Sequence, residues 1–217
     1  QLDEENAELA HEMKNACAHL LRTLNSVLKF ARMEGKAIEL ELQDIDLWEE
    51  SSQAYDLFEP LATAKGVKLK LNKQEEAVHV YADLAALNRI LSNLLDNSIK
   101  FTPEGKNIEI TVFKTKTTGG LRVQDQGRGM AKDFLKQLFN PFSQEREKHD
   151  TTLGGSGLGM AIAKQLVDSM GGEITVESEE EQGTTIELKL PLAKNERPTN
   201  HPFNEDPEQA NPTAVED

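Results

Sequence analysis

The stretch NLLDNSIKFT, residues 93–102, decides the fold of this chain and lies at the end of a helix predicted over residues 83–100. Two amides, Asn93 and Asn97, are four residues apart and therefore project from one face of that helix. Lys100 follows almost one turn later, and the opposite face carries leucines. An amide oxygen can bind Mg²⁺, which prefers hard oxygen ligands. The pattern is typical either of a metal and phosphate site or of a solvated polar stripe on an amphipathic helix.

Three more motifs follow in order: DQGRGM at 125–130, FNPF at 139–142 and GSGLG at 155–159. An ionised aspartate such as Asp125 only accepts hydrogen bonds, and glycines let a backbone approach a ligand closely. The last motif opens a predicted helix, whose free N–H groups and dipole favour a phosphate. Each motif alone is also compatible with an ordinary turn. A dinucleotide-binding βαβ unit is disfavoured because a long irregular stretch, not a strand, precedes the glycines.

In this order, the four motifs resemble the N, G1, F and G2 boxes of the ATP-binding domain of sensor histidine kinases, with the F box closest to the hybrid type. That family shares its nucleotide fold with gyrase, Hsp90 and MutL. The resemblance implies ATP and Mg²⁺ as cofactors, Asn97 as the metal ligand and Asp125 as the acceptor for the adenine amino group. It implies nucleotide contacts at Asn93, Asn97, Lys100, Phe101, Asp125, Gly127, Gly129, Phe142, Gly155, Gly157, Leu158 and Gly159.

The periodicity of apolar residues predicts an α+β fold. Helices are expected at 47–65, 83–100, 132–138 and 157–170, and strands at 67–71, 78–81, 108–113, 121–124, 173–177 and 185–190, with Gly119 and Gly120 in a turn between two of the strands. Hairpin connections favour a sheet with helices on one face over a parallel βαβ array. We therefore expect a two-layer α/β sandwich of the Bergerat ATP-binding type, preceded by a long helix.

Three regions are expected along the chain: residues 1–46, 47–192 and 193–217. The first resembles the second helix of the dimerisation and phosphotransfer hairpin with its linker, which implies a homodimer in the parent protein. Its His11 imitates a phosphoacceptor motif, but too few residues follow for both helices of a hairpin, so the phosphoacceptor histidine is expected outside this segment. The second region is the ATP-binding domain. The third is an acidic tail or linker with a disorder-prone composition.

The chain of 217 residues has a formal net charge of −14, which argues against binding to nucleic acid or to an anionic membrane. Its single cysteine, Cys17, excludes an internal disulfide and a CxxC metal site. No apolar run approaches the ~20 residues of a membrane span. We expect a cytoplasmic segment whose parent protein can be anchored in the inner membrane.

The resemblance implies a two-component kinase that transfers the γ-phosphoryl of Mg-ATP to a histidine and then to a response-regulator or receiver-domain aspartate. The segment after the F box departs from the family pattern: Glu145 and Glu147 add negative charge, and Thr151 and Thr152 stand where a basic residue is expected. The alternative is therefore a regulatory pseudokinase with weak or no ATP binding, acting by contact with another histidine kinase. An ATPase clamp or a serine-directed relative fits the amino-terminal helix less well. Without a phosphoacceptor, the fragment is expected to be weakly active or inactive alone.

Overall fold

The structure is a computed structural model that describes residues 6, 9–10, 13–14, 17, 39–73, 77–145 and 156–193. Its strands are β1 (Leu42–Asp46), β2 (Lys68–Lys73), β3 (His79–Asp83), β4 (Asn107–Lys114), β5 (Thr118–Asp125), β6 (Glu173–Glu179) and β7 (Gly183–Pro191). Its helices from residue 39 onward are α1 (Leu47–Ala64), α2 (Leu84–Phe101), α3 (Lys132–Leu135) and α4 (Gly159–Ser169).

Five strands form the main sheet in the order β2-β4-β5-β7-β6. β2 and β4 are parallel, and the other neighbours are antiparallel. Residues on β4, β5 and β7 alternate between buried and more exposed positions, so one sheet face carries the core. α1, α2 and α4 pack on that face, which confirms the expected two-layer α+β sandwich.

β1 and β3 form a separate antiparallel pair that provides the start of two helices. Asp46 ends β1 and caps α1 by accepting a hydrogen bond from the Trp48 N–H at 2.9 Å. Asp83 ends β3 and caps α2 by accepting from the Ala86 N–H at 2.8 Å. Caps of this kind satisfy N–H groups that the first helical turn cannot pair. The end of β3 therefore fixes the start of α2, the helix that carries the polar motif.

Residues 42–46 lie in the first of the three expected regions, and they form β1, which pairs with β3 of the second region. The expected division of the chain into three regions stays a prediction. The described residues of the first 17 positions are helical, and the rest of the predicted amino-terminal helix lies outside the described residues, as does the expected tail from residue 194 onward.

The turn predicted around Gly119 and Gly120 was wrong. Both glycines lie within β5, and the β4–β5 turn is formed by the three residues before it. A Cβ on Gly119 would lie 2.5 Å from Val80, and one on Gly120 would lie 2.2 Å from the ring of Phe113. These glycines therefore serve close packing on both sides of a strand rather than chain reversal. α3 also ends earlier than predicted, at Leu135 rather than at residue 138.

Candidate functional site

The site is centred on Asp125, the last residue of β5, whose exposed fraction is only 8%. Its Oδ1 accepts hydrogen bonds from the backbone N–H groups of Gly127 at 2.9 Å and Thr184 at 3.1 Å. Its Oδ2 accepts from the hydroxyl of Ser98 at 3.2 Å. A carboxylate oxygen has two lone pairs. Oδ1 is therefore saturated, whereas Oδ2 can accept one more hydrogen bond.

Burial is the main influence on the pKa of Asp125 and raises it, because an ionised carboxylate loses hydration. Hydrogen bonds from Gly127, Ser98 and Thr184 oppose that rise, since they stabilise the ionised form. The three donors thus hold an aspartate in one orientation at an apolar position. This arrangement suits recognition of a donor group such as an amine.

The glycine loop after Asp125 is packed too tightly for any side chain at two positions. A Cβ on Gly127 would lie 2.7 Å from the Asp125 carboxylate and 2.9 Å from the Phe101 carbonyl. Gly129 has φ +68°, and a Cβ there would lie 1.8 Å from the carbonyl oxygen of Glu179. The loop is therefore held between the end of α2 and the end of β6. Glycine supplies the conformation and the space that this packing requires.

The two amides of α2 differ in their surroundings. Asn93 donates a hydrogen bond from Nδ2 to the carbonyl of Gly159 at 3.1 Å, which joins α2 to the start of α4. Asn97 is half-buried, and its amide makes no hydrogen bond within the described part of the chain. Among the described residues, no three His, Cys, Asp or Glu side chains form a cluster that could hold a metal. An Mg²⁺ site here would therefore use the Asn97 amide oxygen together with ligand phosphates and waters, a donor set that this ion accepts.

Two cationic side chains lie beside the ring of Phe101 at the end of α2. Lys100 Nζ is 4.9 Å from the ring centroid, and Arg128 Cζ is 4.7 Å from it. Burial lowers the pKa of Lys100, Asp96 opposes that shift, and the charge of Arg128 lowers the pKa further. Positive charge is thus concentrated around the Phe101 ring at the end of α2.

The second glycine motif begins α4. Gly157 has φ +67°, and a Cβ there would lie 2.7 Å from the backbone of Phe142, which has φ +63° and is 56% exposed. Leu158 is fully buried and precedes α4 without a side-chain cap. The N–H groups of the first turn, beginning at Gly159, are therefore available to a ligand. Gly155 lies outside the described residues.

The sequence did not reveal the contacts that four residues of the site make. Ser98 and Thr184 orient Asp125, while Arg128 and Glu145 form an ion pair at 3.9 Å. Ser98 is detectable as a polar residue within the leucine stripe of α2. Thr184 acts through its backbone N–H, which leaves no sequence signal. The other two are brought together from segments 17 positions apart.

No described helix is long and apolar enough to cross a membrane.

The profile of the family described as histidine kinase-, DNA gyrase B-, and HSP90-like ATPase matches residues 82–194, just over half of the chain. The autoinducer 2 sensor kinase/phosphatase LuxQ of Vibrio vulnificus (strain YJ016) is 32% identical over 216 residues, which cover 95% of this chain and 25% of LuxQ. The chain thus spans about a quarter of the length of this relative.

Two solved structures share the architecture. Full-length ShkA in complex with AMPPNP has a TM-score of 0.76 and 31% identity, and the match covers 88% of this chain and 39% of ShkA. Histidine kinase ThkA in complex with the response regulator protein TrrA has a TM-score of 0.67 at 24% identity, over 85% of this chain and 50% of that one, a likeness of fold. The chain therefore belongs to the histidine kinase-, DNA gyrase B- and HSP90-like ATPase family, and within it to the catalytic domains of sensor histidine kinases.

Proposed function

We propose that this chain binds Mg-ATP and positions its γ-phosphoryl group for transfer to a histidine that lies outside residues 1–217. A response-regulator or receiver-domain aspartate then receives the phosphoryl group. Such transfer requires little covalent chemistry from the protein, so positioning and charge stabilisation are its main contributions. The parent protein is proposed to be a sensor kinase of the hybrid type.

The observation that carries this proposal is the geometry of Asp125. Its carboxylate is buried and oriented by three donors, and one acceptor position remains on Oδ2. The amino group of adenine is a donor that matches this position, whereas guanine presents a carbonyl oxygen there. The nucleotide selected by this site is therefore an adenine nucleotide.

The phosphate end of the nucleotide is proposed to lie along the polar face of α2 and at the start of α4. Asn97 is the proposed Mg²⁺ ligand, and Lys100 supplies positive charge to the phosphates. Bound Mg²⁺ neutralises negative charge on the phosphate oxygens. The Asn93 amide donates to the Gly159 carbonyl and cannot act as a general base, so rapid ATP hydrolysis is not expected.

The pseudokinase alternative depends on negative charge after the F box. Glu145 does not support it, because its Oε1 accepts a hydrogen bond from the Ala131 N–H at 2.9 Å and its Oε2 faces Arg128. Much of the charge of Glu145 is therefore compensated within the domain. Glu147, Thr151 and Thr152 lie outside the described residues. We therefore prefer the kinase to the regulatory alternative.

Three further proposals concern the parent protein. It forms a homodimer through residues 1–46, it acts on a response regulator as its partner, and it is anchored in the membrane with this domain on the cytoplasmic side, where ATP is available. ThkA, which has this fold, has been solved with a response regulator. Sedimentation of the chain with and without charged substitutions at Leu20, Leu24 and Val27 tests the dimer, since the substitutions should produce monomers.

Calorimetric titration with AMPPNP, with and without Mg²⁺, tests nucleotide binding directly. We expect saturable binding of AMPPNP that strengthens with Mg²⁺, and no such strengthening in Asn97→Ala. The matched control is Asn88→Ala, which removes an exposed amide from the same helix. A folded chain that does not bind AMPPNP would support the pseudokinase alternative.

A further inference from the structure

Arg128 occupies the middle of the glycine loop that follows Asp125. Its backbone is held at both ends: its N–H donates to the Phe101 carbonyl at 3.4 Å, and its carbonyl accepts from the Glu181 N–H at 2.6 Å. The backbone of Arg128 is therefore fixed, and its side chain projects from a rigid part of the site. The guanidinium lies over the ring of Phe101, 4.7 Å from the centroid.

The same ring is contacted by Lys100 Nζ at 4.9 Å. Two cations beside one aromatic ring are each attracted to it, but they repel one another. Burial is the main influence that lowers the pKa of Lys100, Asp96 opposes that shift, and the charge of Arg128 lowers the pKa further. An anion that binds near both side chains would offset their repulsion. Lys100 lies three residues beyond Asn97 and Arg128 lies three residues beyond Asp125, so both cations follow closely on residues that are proposed to hold the nucleotide.

Glu145 already partly fulfils the role of that anion. Its Oε2 is 3.9 Å from Arg128 Nη2, while its Oε1 accepts from the Ala131 N–H at 2.9 Å. Both side chains of the pair are about three-quarters buried, with 25% and 23% exposed. The separation is long for an ion pair, so the guanidinium is not held in a bidentate contact by this carboxylate. A phosphate carries more charge and matches the planar guanidinium fork with two parallel hydrogen bonds.

We propose that Arg128 binds the phosphate chain of the nucleotide and that Glu145 is its internal competitor, which the phosphates displace from the guanidinium. This inference rests on the proposed ATP binding. It assigns to the glycine loop a second role beyond recognition of the base. It also predicts that the two residues are coupled energetically, so that removal of Glu145 benefits binding only while Arg128 is present.

The test is calorimetric titration of the chain with Mg-AMPPNP, ADP and AMP, for the unmodified protein, Arg128→Met, Glu145→Gln and the double variant. Methionine keeps a long aliphatic side chain against Phe101 and removes the charge. We expect Arg128→Met to weaken the binding of AMPPNP about tenfold, to weaken that of ADP less, and to weaken that of AMP least. Glu145→Gln should tighten AMPPNP about two- to threefold, and the double variant should match Arg128→Met.

The chain offers a matched control pair on β5 and β7, where β5 is the strand that precedes the glycine loop. Arg122 lies over the ring of Phe113 at 5.4 Å and donates to Glu187 at 2.7 Å, so it has the same kind of surroundings. Arg122→Met and Glu187→Gln change the net charge identically away from the site. Neither should alter AMPPNP affinity. Equal effects of Arg128→Met and Arg122→Met would overturn the inference.

A loss in Arg128→Met that is equal for AMP and AMPPNP would also overturn it, because a phosphate-binding residue must discriminate between them. If Arg128→Met does not fold, Arg128→Lys replaces it, because lysine keeps the positive charge but lacks the planar fork of the guanidinium. We expect Arg128→Lys to weaken AMPPNP binding by an intermediate amount, and we expect that loss to remain when Glu145→Gln is added. If Glu145→Gln does not tighten AMPPNP binding in the otherwise unmodified chain, the proposed competition between Glu145 and the phosphates is contradicted. Absence of AMPPNP binding by the unmodified chain would refute the proposed function as well, whereas normal binding without coupling refutes this inference alone.

Discussion

Replacement of Asp125 by asparagine should change the base preference of the site while leaving its framework intact. The Asn Oδ1 can keep the two backbone hydrogen bonds from Gly127 and Thr184, now at 2.9 and 3.1 Å. The amide NH₂ group then replaces Oδ2, where the Ser98 hydroxyl can rotate to accept from it. An adenine amino group would meet a donor instead of an acceptor.

The magnitude follows from the loss of one charge-assisted hydrogen bond in a buried setting, about 1.5–3 kcal/mol. Each 1.4 kcal/mol is tenfold in affinity, so AMPPNP should bind about 10- to 100-fold more weakly to Asp125→Asn. The guanosine analogue of AMPPNP should bind Asp125→Asn more tightly than it binds the unmodified chain, since its O6 atom accepts a hydrogen bond from the new amide. Calorimetry with both nucleotides measures the ratio. An unchanged ratio of adenine to guanine affinity in a folded Asp125→Asn variant would refute the assignment of Asp125 to the base.

The same variant provides a stability control through the raised pKa of Asp125. Because burial raises the pKa in the folded state, the folded protein holds the proton more tightly than the unfolded chain does. The free energy of unfolding therefore falls as the pH rises from the unfolded-state pKa of aspartate through the raised folded-state pKa. Without nucleotide, Asp125→Asn should unfold at neutral pH at no lower temperature than the unmodified chain. Any advantage should shrink as the pH falls from the folded-state pKa to the unfolded-state pKa, and it should be absent below both.

Three further predictions concern the metal, the glycine loop and the core. Asn97→Ala should abolish the Mg²⁺ dependence of AMPPNP binding in calorimetry while the thermal unfolding temperature is retained, because this side chain makes no hydrogen bond within the described residues. Gly129→Ala should destabilise the domain by at least about 2 kcal/mol in urea unfolding, since it combines φ +68° with a Cβ only 1.8 Å from the Glu179 carbonyl; a change below 0.5 kcal/mol would contradict the packing described. Leu94→Ala, at a fully buried position of α2, should cost about 2–5 kcal/mol in the same assay, and a smaller cost would mean that the core closes around the cavity.

The helix that carries the two amides could be predicted from its own residues. Its leucines recur at helical spacing opposite Asn93 and Asn97, and the structure places a helix there with those leucines buried. Local periodicity succeeds here because one face of α2 packs against the sheet while the other does not. The glycines of the loop after Asp125 were predicted to let the backbone lie close to a ligand, and that stays a prediction. The structure shows instead that Gly127 and Gly129 lie close to the Phe101 and Glu179 carbonyls.

The glycines of β5 show where local interpretation fails. Gly119 and Gly120 have the composition of a turn, yet they lie inside a strand because Val80 and Phe113 occupy the space that side chains would need. Those neighbours come from other strands, and their closeness depends on how β3 and β4 pack on β5. No local pattern carries that information.

The sequence by itself determined the fold class, the order of the motifs and the residue types of the candidate site, because periodicity and glycine spacing are properties of neighbouring residues. Only the tertiary structure decided which groups orient Asp125 and which anion faces Arg128. Ser98, Thr184 and Glu145 reach the site from three separate segments. Their contacts arise from packing between distant parts of the chain, and one of them acts through its backbone, which every residue type shares.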